Sequence, residues 1–104
     1  MDDLYDLIRN AVLNKRQVVA TYRGHVREMS PHVLGLAKSD RLPQCLFYQF
    51  GGSSSSGLPP EGEWRCLPLA GLSNVSVRDG AWHTGESHTQ PQTCVWEVHV
   101  VAPH

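Results

Sequence analysis

The sequence predicts a mainly β domain, a small barrel or rolled sheet preceded by one α-helix. Three observations point there. One apolar stripe with a 3.6-residue period opens the chain, strand-forming segments replace it from residue 17 onward, and Gly or Pro punctuates them. A chain of 104 residues holds one core, so the whole is read as a single domain over residues 1–104.

The helix is expected over residues 2–15. Leu4, Leu7, Ile8, Ala11 and Val12 fall on one face, Asp2 or Asp3 can cap the start, and Lys15 and Arg16 suit the negative end of the helix dipole. A helix this short is marginal alone in water, so it must pack on something. Barrel strands are expected over about 17–78. Gln17–Arg23 is rich in β-branched and aromatic residues, and Gly24–His25 signals a turn. Val26–Ser30 returns, Pro31 interrupts, and Val33–Leu36 continues after a bend. Ala37–Pro43 reads as a polar, basic loop. Gln44–Phe50 places Leu46, Tyr48 and Phe50 on one face and Cys45 and Phe47 on the other, the pattern of a central strand covered on both sides. GGSSSSG at 51–57, followed by Leu58-Pro59-Pro60, reads as a flexible connector, with residues 52–62 among the most mobile. Glu63–Leu69 and Ser73–Arg78 are further strands, and residues 79–92 look irregular. An additional C-terminal strand is expected over about 93–101, where Trp96, Val98 and Val100 alternate with Glu97 and His99.

Composition excludes several classes. Hydrophobic residues at 40 % and charged ones at 18 % rule out a chain disordered by composition. No apolar run approaches the roughly 20 residues that cross a bilayer, and the acidic opening lacks the order of a signal peptide. Nine Lys and Arg against ten Asp and Glu do not suit a protein built to coat nucleic acid. Three cysteines, far apart and each within a strand candidate, argue against a disulfide framework and fit a reducing cytoplasm. Cys45, Cys66 and Cys94 are therefore expected to be unpaired. The close His pairs, His25 with His32 and His83 with His88, have no neighbouring Cys pair, so no metal and no other cofactor is expected. The 51–57 run has no following Lys or helix, unlike a phosphate-binding loop, and Glu61 and Glu63 flank Gly62 in a loop. No nucleophile–base signature marks an enzyme. The positive charge is uneven, however. Residues 15–41 hold six Lys or Arg against two acids, a basic first hairpin able to receive an anion or a nucleic-acid strand, or simply to shield a sheet edge.

Residues 11–35, AVLNKRQVVATYRGHVREMSPHVLG, resemble the start of a WYL domain. The shared features are Ala11, Lys15-Arg16, Val18-Val19, Tyr22, Gly24, Arg27, Pro31-His32 and Leu34-Gly35. The run Tyr48-Gln49-Phe50-Gly51-Gly52-Ser53-Ser54, followed by Trp64, resembles a stand-alone WYL-like group of bacterial proteins. The resemblance spans about residues 4–78. The Trp-Tyr-Leu triplet aligns near Pro43-Gln44-Cys45 and is not kept, and the arginines of the family's later strand fall at Pro68–Leu72 and are not kept either.

The resemblance implies an SH3-like or Sm-like small β-barrel with one N-terminal helix. It also implies a non-enzymatic regulatory module, of the kind used in transcription regulation, that senses a small anionic or nucleotide-like ligand or binds single-stranded nucleic acid weakly. Tyr22, Arg27 and His32 match polar positions of the family's ligand surface. Arg binds phosphate, Tyr stacks a base and His donates a hydrogen bond. Strand geometry lets the three line one concave patch with Gln49 at its rim. The alternative is a structural or protein-interaction module without a small ligand, self-associating through the Trp96 strand as a homo-oligomer.

Overall fold

The computed structural model describes residues 3–53, 57–58, 62–85 and 94–103. Among these residues one helix, α1 (Asp3–Leu13), precedes six strands: β1 (Gln17–Tyr22), β2 (His25–Leu36), β3 (Pro43–Gly52), β4 (Glu63–Pro68), β5 (Leu72–Arg78) and β6 (Glu97–Val101), with a 3₁₀ turn at Leu69–Gly71. The strands form one antiparallel sheet in the order β4-β3-β2-β1-β5, with β6 also on β2. The fold is mainly β, and the sheet is open. Among the described residues no ladder joins β4 to β5.

The helix ends at Leu13, two residues before the expected end. Lys15 takes the left-handed conformation (φ 52°), and the Arg16 amide bonds back to the Ala11 carbonyl at 2.9 Å, which turns the chain into β1. Ile8, Ala11 and Val12 are buried as the stripe predicts, but Tyr5 joins them and Leu7 stays 38 % exposed. Tyr5 is held by its hydroxyl, which donates to His99 Nδ1 while His99 Nε2 donates to Glu97. That partner on β6 is 94 residues away in sequence, so periodicity within the helix could not reveal it.

Val18 and Ala20 on β1, Met29 and Leu34 on β2, and Cys45 and Phe47 on β3 form the inner face under α1. β2 is one continuous strand despite Pro31. The proline opposes Phe47 beside a bulge, beyond the last β1 pair at Met29 and before the first β6 pair at Val33, so the ladder there tolerates its missing N–H. β3 is interior, as expected. Its outer residues Tyr48 and Phe50 lie under the irregular 79–85 segment and Trp64: Phe50 stacks on His83 at 3.9 Å and Tyr48 meets Trp64 edge-on at 5.1 Å.

Two expectations are overturned. Cys66 and Cys94 form a disulfide, leaving only Cys45 free. They are 28 residues apart in sequence, and the chain beyond β5 returns across the sheet to lay Cys94 against β4, a contact no local spacing encodes. β6 is also shorter than 93–101 and not one-sided. Its register skips His99 between the Leu34–Val100 and Gly35–Val98 pairs. Val100 therefore enters the core, whereas Trp96 and Val98 remain 47 % and 46 % exposed. The connector expected to be mobile over 52–62 falls largely on residues 54–56 and 59–61, outside the described residues.

Candidate anion-binding site

The inner face has two ends. Under α1 it is apolar. At the other end β1, β2 and β3 present Tyr22, Arg27 and Gln49. The turn that joins β1 to β2 is Arg23–Gly24, both with positive φ (50° and 78°), so that Tyr22 pairs with His25. This is the two-residue hairpin geometry that matches strand twist, set one residue earlier than the Gly-His signal suggests. It fixes the register in which Arg27 opposes Ala20. A small residue there leaves room for the guanidinium to lie along the inner face.

Arg27 is 3 % exposed. Its Nη1 donates to Gln49 Oε1 and its Nη2 to the Tyr22 carbonyl, both at 3.4 Å, the outer limit for a hydrogen bond. Its Nε makes none. Gln49 is oriented by its own amide, which donates to the carbonyls of Gly51 at 3.0 Å and Ser53 at 3.1 Å, so Oε1 turns to Arg27. Gly52 permits this close approach. Its φ is +83°, and a Cβ there would strike the Val26 carbonyl oxygen and the Arg27 Cα. The Tyr22 ring lies under two cations, Arg27 at 5.1 Å and Arg23 at 5.4 Å, an arrangement that steadies both side chains.

No carboxylate forms an ion pair with Arg27 among the described residues. Its nearest charged influences include cations. Burial holds Arg27 below the ordinary arginine range, Arg65 and Arg23 push the same way, and Tyr22 opposes them. Arg65 stands on the inner face of β4, opposite Phe47, and bonds Glu63 at 2.9 Å and the Gly57 carbonyl at 3.2 Å. Sequence reading missed Arg65 and Arg23. Alternation along Glu63–Leu67 does place Arg65 on the same side as Leu67, but the β3–β4 register that brings it near Arg27 is not written locally.

His32 does not join this group. Its ring contacts Trp64 at 4.8 Å and Trp82 at 4.7 Å, and its Nε2 lies 3.0 Å from the His83 carbonyl oxygen. Trp64 pairs with Tyr48, and Tyr48 points away from Gln49 by strand alternation. His32 therefore belongs to the outer face, and the expected three-residue patch is corrected to Tyr22, Arg27 and Gln49, with Arg65 and Arg23 beside them. Alternation from Arg27 through Met29 and Pro31 puts His32 on the opposite face, and the bulge between Pro31 and Val33 changes parity only beyond it, which brings Leu34 to the core.

The other basic residues of 15–41 disperse. Arg16 pairs with Asp79, Lys15 sits over Trp82 and Arg41 over Trp96. The hairpin is not one continuous basic surface. Among the described residues no group of three or more His, Cys, Asp or Glu could hold a metal ion, and no helix is long and apolar enough to cross a membrane. Comparison of the chain with family models, with curated proteins and with solved structures returned no match.

Proposed function

We propose that this protein is a non-enzymatic, ligand-binding regulatory module that takes a small anionic or nucleotide-like ligand at Tyr22, Arg27 and Gln49. One observation carries the reading: a buried guanidinium without an acidic partner among the described residues, one N–H unused, beside a second arginine. A buried charge is costly unless something of opposite sign compensates it. A phosphate or carboxylate group would accept from Arg27 Nε and draw on Arg65 and Arg23. Affinity is modest and falls with added salt, because few charges are engaged. The order helix, four-strand meander, 3₁₀ turn, and β5 beside β1 supports the finer reading of a WYL-like domain on an SH3-like or Sm-like barrel. A cytoplasmic setting goes with this reading, although the Cys66–Cys94 bond removes the unpaired-cysteine ground for it.

The test is an NMR titration of the ¹⁵N-labelled protein with pyrophosphate, a mononucleotide and short single-stranded DNA in phosphate-free buffer. Saturable shifts centred on Tyr22, Arg27, Gln49 and Arg65, lost in Arg27→Met, are expected. Shifts confined to other regions, or none at millimolar ligand, refute the reading.

A second reading has its own observation. β6 pairs only with β2 among the described residues, Val98 and Val101 are exposed on it, and Trp96 is exposed just before it. An exposed apolar edge strand is a template for a second copy. Sedimentation equilibrium decides it. A dimer that Val98→Lys dissociates supports self-association, and a monomer at all concentrations removes it.

A further inference from the structure

The Cys66–Cys94 bond joins two half-buried residues whose sulfurs have different partners. The Gln44 side-chain amide donates one hydrogen to Cys66 Sγ at 3.1 Å and the other to the Cys94 carbonyl at 2.7 Å. Cys94 Sγ has no such donor among the described residues. Gln44 is itself fixed, since its strand pairs with β2 through Gly35 and with β4 through Pro68. The amide is thus preset against one sulfur of the pair.

We propose that Cys66–Cys94 is a reversible thiol–disulfide exchange site in which Cys94 Sγ is the sulfur attacked and Cys66 is the leaving thiolate. The reductant is a small monothiol or dithiol. Its thiolate forms a bond to Cys94 Sγ as the Cys94–Cys66 bond breaks, and the electron pair leaves on Cys66 Sγ. A second reductant thiolate then attacks the reductant sulfur of the mixed disulfide, and the pair leaves on Cys94 Sγ. Each released thiolate is protonated according to the pH. In sum, one protein disulfide and two reductant thiols become two protein thiols and one reductant disulfide.

The direction follows from differential stabilisation. An amide N–H to a neutral disulfide sulfur is a weak contact, but the same N–H to a thiolate is charge-assisted. Exchange is faster when the leaving thiol is the more acidic, so Gln44 favours departure of Cys66. The third thiol does not compete. Cys45 faces the core, and burial pushes its thiol far above the ordinary range. A bond of this kind also suits a cytoplasmic setting, where disulfides are transient and redox-sensing.

The air-oxidised full chain is treated with excess glutathione, quenched early by alkylation, and mapped by mass spectrometry. The expected adduct sits on Cys94, about tenfold over Cys66, and Gln44→Leu slows the first step by about the same factor. Because Gln44→Leu can disturb β3, two single-thiol variants give an independent reading: the Cys66 thiol of Cys94→Ser ionises at lower pH than the Cys94 thiol of Cys66→Ser. Adducts on Cys66, adducts shared equally, or an oxidised protein with no Cys66–Cys94 bond overturns the proposal.

Discussion

Replacing Arg27 by Met tests the buried guanidinium directly, and a gain in stability is expected. The variant gives up two hydrogen bonds at 3.4 Å, which contribute little at that length. It also gives up one cation–π contact with Tyr22, worth about 0.5–2 kcal/mol. Against this stands the desolvation of a charge that no acid among the described residues neutralises, a cost on the order of several kcal/mol. Met has similar reach and fills irregular space. The expected net gain is roughly 1–2 kcal/mol in phosphate-free, low-salt buffer, which raises Tm by about 5–10 °C for a domain of this size. The assay is thermal unfolding followed by circular dichroism, with and without pyrophosphate. Ligand at about ten times its Kd adds about 1.4 kcal/mol to the wild type and nothing to the variant, so the gap narrows or reverses. A variant that loses more than about 1 kcal/mol without ligand would show that Arg27 is already satisfied, and the argument for an anion would fall with it.

Three further outcomes follow from the structure. Denatured, unreduced protein titrates one thiol, Cys45, and reduction raises the count to three; a count of three before reduction contradicts the fold at Cys94. Burial raises the Cys45 thiol in the folded state. The stability this gives is complete below the unfolded thiol's pKa of about 8.5 and is lost above it by up to about 1.4 kcal/mol per pH unit. Urea melts from pH 7 to 9.5 should show that slope, and Cys45→Ala should flatten it. At Gly35 an added Cβ would meet the Glu97 carbonyl oxygen and Val95 Cγ1. Gly35→Ala is thus expected to cost about 1–3 kcal/mol and to speed amide exchange in β6 before the rest of the sheet.

The elements legible in the sequence are those whose signal is local. Ile8, Ala11 and Val12 mark a helix by spacing alone, and Cys45, Phe47 and Tyr48 mark a doubly covered strand by alternation. Tyr22 and Arg27 fall on one face whether the turn is Gly24–His25 or Arg23–Gly24, because that one-residue move shifts the pairing by two and keeps its parity. What failed depends on contacts between distant segments or on broken alternation. The Cys66–Cys94 bond and the approach of Arg65 to Arg27 need the path of the chain beyond β5 and the register of β4. The placements of Leu34 and Val98 each hinge on one unpaired residue in a ladder, and a single bulge inverts every parity argument beyond it.

The pleat of β3 and β4 has a consequence for how the protein acquires its disulfide. Three thiols admit three single bonds, and two of those three include Cys45. On the finished sheet Cys45 opposes Leu67 on the core side, whereas Cys66 opposes Leu46 on the outer side. Two sulfurs on neighbouring rungs of the β3–β4 ladder are thereby sorted onto faces that no bond can bridge. Before collapse nothing enforces that sorting, and an oxidant meets three equivalent thiols. Oxidation of the unfolded chain therefore scatters material among the mispaired forms, while oxidation after β3 has joined the core admits one product. The order of events, sheet first and sulfur second, is set by which side of a strand one cysteine happens to face.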